Sequence, residues 1–185
     1  TGKTTIIKSI IEIFEAKKKK VVLCAPTGRA AKRMQEQTGK EAATIHRLLE
    51  VEWVEGEKIA FSKNNTNPLD YDVIILDEMS MVDALLFKAV LEATRISTRI
   101  ILVGDSDQLP SVGAGNVLGD ILESGQVNFV CLTEIYRQAK ESLIVLNAHA
   151  VNNGQMPTLN NKSKDFFFKS TEDATDSLAS ILSFV

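Results

Sequence analysis

The sequence predicts an α/β fold in which helices cover both faces of a parallel β-sheet. Short β-branched runs alternate along the chain with helical patterns, and this order is typical of a parallel sheet. The runs are apolar throughout instead of alternating with polar residues, so both faces of each strand should be covered. We place strands at residues 21–24, 73–76, 99–103 and 128–131. Helical patterns occupy residues 3–17, 28–39, 44–49, 83–94, 116–124 and 143–152.

Two segments depart from this alternation. Residues 50–66 predict a small inserted β-hairpin, because two strand-like stretches flank a short turn. A later stretch with Asn, Gly and Pro is typical of a linker. The predicted organisation is a first domain at 1–152, a linker at 153–163 and the beginning of a second domain at 164–185, with a strand at 165–169 and a helix after Thr171.

The composition indicates a soluble globular protein. The 185 residues are 44% hydrophobic and 24% charged, with a net charge of −3. No apolar stretch approaches the roughly 18 residues that cross a membrane, so we expect no membrane partner. Because the chain is not basic overall, a nucleic-acid partner has to be argued from a local site. Cys24 and Cys131 lie in apolar runs, and we interpret both as core thiols in a reducing compartment.

The chain opens on the second half of a phosphate-binding loop. Residues Thr1-Gly2-Lys3-Thr4-Thr5 match the end of the pattern G-x-x-x-x-G-K-[ST], and a helical pattern follows them. Gly2 allows the backbone to wrap around phosphate, the Lys3 ammonium reaches the β- and γ-phosphates, and the Thr4 hydroxyl can ligate Mg²⁺. A turn that begins a helix would give the same five letters. The remaining motifs decide between the two interpretations.

A pair of carboxylates, Asp77 and Glu78, follows the second predicted strand. Ligands of open parallel sheets bind at the carboxyl ends of the strands. We therefore assign Asp77 to Mg²⁺, directly or through a water, and Glu78 to the attacking water. Acidic residues also cap helices, where they favour the positive end of the helix dipole. Ser80 and Asp83 are better placed for that structural role.

Two more polar positions follow the third and fourth predicted strands. Gln108, within the loop 104–110, can hydrogen-bond both a γ-phosphate and an attacking water. Arg137 can supply positive charge to the γ-phosphate during phosphoryl transfer. A Gly/Asp/Pro turn and a surface arginine are the structural alternatives. In combination with the phosphate loop and the carboxylate pair, the pattern favours an ATP site.

Taken in order, these motifs resemble those of the RecD-like branch of superfamily 1 DNA helicases, which includes the alpha subunit of exodeoxyribonuclease V. The resemblance covers nearly all of residues 1–157, in the segments 1–5, 25–31, 44–49, 77–83, 104–110 and 136–138. It implies a RecA-like P-loop NTPase fold, the first motor domain of a 5′-to-3′ DNA translocase, with ATP and Mg²⁺ as cofactors. By this resemblance the catalytic residues are Lys3, Glu78, Gln108 and Arg137, the nucleotide-binding residues Thr1, Gly2, Lys3, Thr4 and Thr5, and the metal ligands Thr4 and Asp77.

The same resemblance implies contacts with single-stranded DNA from two helix starts. Thr27, Gly28 and Arg29 follow the first strand and open a helix, where free N–H groups favour phosphate. Thr44 and His46 match the next DNA-contacting motif of the family. A solvated arginine and a surface or core histidine are the structural alternatives for Arg29 and His46.

The hairpin at 50–66 lies between these DNA motifs and the carboxylate pair. In this branch of helicases, a hairpin inserted there resembles a pin that splits the duplex. Trp53 or Phe61 would then meet the last base pair of a junction between single- and double-stranded DNA. The alternative is an ordinary surface hairpin whose aromatic side chains pack inward.

Three functions stay open on sequence alone. The first is a fragment of an ATP-driven DNA helicase of the bacterial cytoplasm, active in recombination or repair, either alone or with the subunits of a nuclease complex. The second is a P-loop ATPase of another class, and the third is a module that binds nucleotide or DNA without turnover. Because the phosphate loop lacks its first glycines and no later helicase motif is found, we expect the isolated chain to hydrolyse ATP poorly.

Overall fold

The computed structural model describes residues 2–54, 58–132 and 142–183. The chain divides into two compact units, Thr1–Leu132 and Thr133–Val185, and each is described by itself. The domain limits inferred from the sequence, with a linker at 153–163, stay a prediction. In the described ranges no helix has the length and apolar character needed to span a membrane.

The first unit alternates strands and helices as the sequence predicts. Each helical pattern of this unit becomes a helix whose ends lie within two residues of the predicted ones. In chain order the elements are α1 (Lys3–Ala16), β1 (Val21–Ala25), α2 (Gly28–Thr38), β2 (Ala42–Thr44), α3 (Ile45–Leu48), β3 (Val51–Val54), β4 (Lys58–Phe61), β5 (Val73–Leu76), a 3₁₀ helix (Met79–Met81), α4 (Ala84–Glu92), β6 (Arg99–Leu102) and α5 (Val117–Ser124).

Four of these strands form one parallel sheet in the order β2-β1-β5-β6. The register places Leu76 of β5 beside Cys24 of β1 on one side and Leu102 of β6 on the other. Ala25, the last residue of β1, lies beside Thr44, the last residue of β2. The carboxyl ends of all four strands therefore lie along one edge of the sheet. This architecture confirms the predicted fold class.

The core lies on both faces of the sheet, as continuous apolar strands require. All four residues of β5 are at most 1% exposed. Ile74 and Leu76 belong to one hydrophobic cluster, whereas Val73 and Ile75 belong to another with α1 and α2. Successive strand side chains point to opposite faces, so this division follows from the pleat. β5 is thus packed between two hydrophobic clusters, and this packing fixes the start of the loop that follows it.

The inserted hairpin is confirmed as the antiparallel pair β3–β4, in register from Val51 opposite Phe61. Its turn, 55–57, lies outside the described residues. Phe61 is half-buried and packs against the larger hydrophobic cluster, as the inward-packing alternative predicts for that residue. The side chain of Trp53 lies outside the described part of the chain.

The second unit contains α6 (Leu143–Asn152) and α7 (Ala174–Leu182), and these confirm the helices predicted at residues 143–152 and after Thr171. A segment after α6 is fastened to it by the buried side chain of Asn147. The Asn147 amide accepts from the Thr158 N–H at 2.7 Å and donates to the Thr158 carbonyl at 3.0 Å. This paired bond orders an otherwise irregular stretch.

Two predicted strands are wrong. Residues 128–131 are exposed and irregular, and Cys131 is exposed, so it is not a core thiol; Cys24 is buried as predicted. Residues 165–169 also form no strand. A β-branched run becomes a strand only where a neighbouring strand supplies hydrogen-bond partners, and within the described ranges neither run has one. Conversely, the short strand β2 was not predicted.

Candidate nucleotide and DNA site

Several of the predicted site residues lie at the carboxyl edge of the parallel sheet. Thr44 ends β2, Thr27 follows β1, Asp77 follows β5, and the loop 104–110 follows β6. Given the strand order, the DNA candidates occupy the β2–β1 half of this edge and the nucleotide candidates the β5–β6 half. Such an edge is where open parallel sheets bind ligands. The residues predicted to bind DNA and those predicted to bind nucleotide therefore lie side by side along this edge.

Lys3 is the first residue of α1, and its ammonium faces the loop after β6. The Lys3 Nζ lies 3.8 Å from Oδ2 of Asp105, an ion pair between side chains that are 27% and 38% exposed. Gly2 caps the helix, as expected for a phosphate loop that runs into a helix. Sequence reasoning missed Asp105, which stood in the motif only as part of a turn. This contact brings the phosphate loop and the Gln108 loop together.

The Thr4 hydroxyl is engaged elsewhere, because it donates to Oε1 of Gln37 in α2 at 3.1 Å. Its oxygen keeps lone pairs for a cation, so the contact is compatible with the predicted metal role. Thr5 is exposed, and Thr1 lies outside the described residues. The assignment of these threonines to nucleotide stays a prediction.

Asp77 and Glu78 lie where β5 leaves the core. The Asp77 N–H donates to the Cys24 carbonyl at 2.9 Å, and this bond carries the pairing of β1 and β5 one residue further. Asp77 Oδ1 accepts from the Glu78 N–H at 2.9 Å. Glu78 adopts φ 54° and ψ 44°, a left-handed conformation that is rare for a glutamate. Strained backbone of this kind concentrates at functional sites.

The two cap candidates behave differently. Asp83 caps α4, since its Oδ1 accepts from the Leu86 N–H at 2.8 Å, as predicted. Ser80 does not cap a helix: its hydroxyl donates to Oε1 of Gln108 at 3.3 Å. The prediction for Ser80 is therefore wrong, because the 3₁₀ helix turns this side chain toward the loop after β6 instead of along a helix axis.

The loop that carries Gln108 is shaped by its own backbone. The Gln108 N–H donates to the Asp105 carbonyl at 3.3 Å, and the Asp107 N–H donates to Asp105 Oδ1 at 3.2 Å. Gly104 allows the loop to pass close to the 3₁₀ helix, because a Cβ there would lie 3.2 Å from the Cβ of Met79. Arg137, predicted to meet the same phosphate, lies outside the described residues.

The DNA candidates begin two helices with the same kind of cap. Thr27 Oγ1 accepts from the Ala30 N–H at 3.2 Å, and Thr44 Oγ1 accepts from the Arg47 N–H at 3.1 Å. A threonine hydroxyl that accepts one bond still has its hydrogen to donate. Because Ala25 pairs with Thr44 in the sheet, these two caps lie close together.

The other DNA candidates differ in exposure. Gly28 opens α2, and a Cβ built on it would meet no atom within 4 Å. Arg29, beside it, is exposed. His46 is half-buried, and its ring lies 6.0 Å from the Phe61 ring with the planes inclined by 52°. This tilted contact joins α3 to the inserted hairpin, so His46 has a structural partner whatever else it contacts.

Ion pairs at the opposite edge of the sheet are structural. Lys20 and Arg95 each lie 2.6 Å from a carboxylate oxygen of Asp70. The hydrogen bond from Lys20, and then that from Arg95, lowers the pKa of Asp70 below its usual value. In the core, burial alone raises the pKa of the Cys24 thiol to about 12. Neither the Asp70 ion pairs nor the Cys24 thiol contacts the side chains of the candidate site. Among the described residues, no group of three or more His, Cys, Asp or Glu side chains could hold a metal.

The fold and the motif order define a class. Residues 1–172 match the family described as the AAA domain, and the chain belongs to that family. Two relatives have names that are more specific than this family description. The chain is 40% identical over 162 residues to the ATP-dependent RecD2 DNA helicase of Deinococcus radiodurans, an alignment that covers 88% of this chain and 22% of that protein. It is 38% identical over 146 residues to the RecBCD enzyme subunit RecD of Mycolicibacterium smegmatis, covering 66% of this chain and 26% of that subunit. The resemblance to RecD-like helicases is thus confirmed, and the chain spans about a quarter of the length of these relatives.

Solved structures agree on the fold. A Pif1 helicase from Bacteroides in complex with ADP-AlF3 and single-stranded DNA superposes with a TM-score of 0.55 at 22% identity, covering 99% of this chain and 50% of that one. A Pif1 helicase structure concerned with unwinding of forked double-stranded DNA gives a TM-score of 0.54 at 24% identity, covering 84% and 42%. At these identities the likeness supports the fold alone.

Proposed function

We propose that this chain supplies the nucleotide site and part of the DNA-binding surface of an ATP-dependent DNA helicase. The observation that carries the proposal is the meeting of three motifs at one edge of the sheet. Lys3 of the phosphate loop lies beside Asp105, and Ser80 of the carboxylate motif lies beside Gln108, so both contacts reach one loop. The names of the relatives, RecD2 and RecD helicases, support the same function.

A magnesium ion is the cation that we propose for the nucleotide at this edge. Mg²⁺ prefers oxygen ligands and is usually held by one or two protein groups together with phosphate, so no large carboxylate cluster is needed. Asp77 and the Thr4 hydroxyl would hold it. When bound, the ion would neutralise charge that develops on the phosphates.

The protein's own groups would then divide the work of phosphoryl transfer. Lys3 would exchange Asp105 for phosphate oxygens, and Glu78 would orient the attacking water. Gln108 would bind the γ-phosphate, and Arg137 would add positive charge there. These roles are mainly positioning and electrostatic stabilisation, which dominate phosphoryl-transfer catalysis.

The DNA partner we propose is single-stranded DNA, with the hairpin near a junction to duplex. The two capped threonines, Thr27 and Thr44, support phosphate contacts, and exposed Arg29 supplies charge. Contacts of this kind are independent of sequence and sensitive to salt. The relatives include a RecD2 helicase and subunits of RecBCD enzymes, so work alone and work beside nuclease subunits both stay open for this protein. Either task would take place in the cytoplasm.

The test is the ATPase of the full-length protein that contains this chain, measured with and without single-stranded DNA. Lys3→Ala removes the ammonium from the phosphates, and we expect a loss of about 100-fold or more in stimulated turnover. Lys8→Ala is the matched control, because Lys8 is exposed on the same helix. Equal activity of the two variants would refute the nucleotide site. Robust ATPase that ignores DNA would instead support a P-loop ATPase of another class.

A further inference from the structure

Among the residues that the structure describes, the hydroxyl of the buried Ser80 bonds to Gln108. Ser80 is 7% exposed, and it lies in the 3₁₀ helix directly after the carboxylate pair. This helix is fixed to the sheet, because the Met79 N–H donates to the Val103 carbonyl at 3.0 Å and Met79 is fully buried. The hydroxyl is therefore presented to the loop after β6 from a rigid position.

The hydrogen bond from Ser80 determines which atoms of the Gln108 amide are left free for other partners. The serine donates to Oε1 at 3.3 Å, so the amide oxygen is engaged on the protein side. An amide that accepts through its oxygen leaves both N–H groups of its NH₂ free to donate. A phosphate oxygen needs donors, and an amide turned the other way would present its oxygen to an anion. In the orientation that the structure shows, with the amide oxygen on Ser80, the NH₂ group of Gln108 is left to donate to a phosphate.

The backbone of the loop does not depend on this bond. The Gln108 and Asp107 N–H groups both donate to Asp105, through its carbonyl and its carboxylate. The Gln108 side chain itself is exposed and would rotate freely without a partner. Removing the serine hydroxyl should therefore release the side chain while the loop keeps its path.

We propose that Ser80 is a positioning residue that holds the Gln108 amide with its NH₂ toward the γ-phosphate. The inference rests on the proposed nucleotide site and assigns Ser80 a role there beyond the roles already proposed. It applies to the step that distinguishes ATP from ADP, because the γ-phosphate is the group that Gln108 would contact.

The first readout is nucleotide preference, measured by equilibrium binding of a non-hydrolysable ATP analogue and of ADP to the full-length protein. A hydrogen bond of ordinary strength predicts that Ser80→Ala reduces the preference for the triphosphate by about 3- to 10-fold while the affinity for ADP is unchanged. Ser124→Ala is the control, since it removes a hydroxyl bonded to the Ile121 carbonyl in α5. An unchanged preference in Ser80→Ala would overturn the proposal.

The second readout is a double-mutant cycle in the DNA-stimulated ATPase. If Ser80 acts through Gln108, the variant that combines Ser80→Ala with Gln108→Ala should lose no more kcat than Gln108→Ala alone. Fully additive losses would mean that Ser80 acts by another route. The fall should appear in kcat, with a small change in KM for ATP.

A variant outside the 3₁₀ helix guards against misfolding of Ser80→Ala. Gln108→Glu keeps the oxygen that accepts from Ser80 and removes the NH₂ group, so it should lose the triphosphate preference at least as completely as Gln108→Ala. Retained preference in Gln108→Glu would refute the role of the NH₂ group. The Lys3→Ala variant tests the nucleotide site separately, because an intact ATPase in that variant refutes the site. If Lys3→Ala loses activity but Ser80→Ala changes nothing, only this inference is refuted.

Discussion

Gly104 lies where the loop of Gln108 passes close to Leu118 and Met79, and Gly104→Ala tests whether a side chain can be accommodated there. The new Cβ would lie 2.7 Å from Cδ2 of Leu118 and 3.2 and 3.3 Å from the Cβ and N of Met79. Carbon atoms pack at about 3.5–4.0 Å, so the first contact is roughly 1 Å too short. Leu118 can change rotamer, but Met79 is held by its bond to Val103. The backbone of the loop therefore has to shift.

Such overpacking typically costs about 1–3 kcal/mol of unfolding free energy. Urea unfolding followed by circular dichroism measures it, with Gly28→Ala as the control. Gly28 has no heavy atom within 4 Å of the added Cβ and opens a helix, so the control should be neutral or gain about 0.4–1 kcal/mol. We expect Gly104→Ala to lower the free energy of unfolding and Gly28→Ala to leave it unchanged or raise it.

The cause can be isolated by adding Leu118→Ala, which makes room for the new Cβ. Leu118 is buried, and its truncation alone should cost about 2–5 kcal/mol. Because the two changes share one contact, the double variant should cost less than the sum by about 0.5–3 kcal/mol. Equal stability of Gly104→Ala and the control, or exact additivity with Leu118→Ala, would refute the steric reasoning.

Three further predictions concern a helix cap, the reactivity of the two thiols and the pH dependence of stability. Asp83→Ala should destabilise the protein by about 0.5–2 kcal/mol in urea unfolding, because the Leu86 N–H loses its partner, whereas Asp83→Asn should change little; equal losses would contradict the cap. In the native protein a disulfide reagent should modify Cys131 quickly and Cys24 only after unfolding, and rapid reaction of both would contradict the burial. Burial raises the Cys24 pKa from 9.0 to about 12, so its contribution to stability is complete below pH 9 and is lost as pH rises toward 12, a trend that Cys24→Ala should remove.

The placement of Asp77, Glu78 and Gln108 at the carboxyl edge of the sheet could be predicted from the sequence because its signals are local. Asp77-Glu78 directly follows a run buried on both faces, and parallel strands bring such positions to one edge. The contacts between motifs were not predictable in the same way. That Lys3 meets Asp105, and Ser80 meets Gln108, depends on how α1 and the 3₁₀ helix pack against the loop after β6, which no spacing encodes.

The errors in the fold have a common physical origin. β2 is three residues long, Ala42–Thr44, and its alanines have low strand propensity, so only pairing with β1 makes it a strand. The opposite error arose at 128–131, where high strand propensity met no partner within the described chain. In both cases tertiary pairing decided the outcome, and propensity is a weaker term than a ladder of hydrogen bonds.

The left-handed backbone of Glu78 bears on which residue types suit this position. Glycine, which has no Cβ, would occupy φ 54° at lower cost, since a residue with a Cβ loses roughly 1–2 kcal/mol there. On folding grounds alone a glutamate is thus a poor residue for the turn. If Glu78 orients the attacking water as we propose, a substitution that relieves this backbone should raise the free energy of unfolding and lower ATP turnover together.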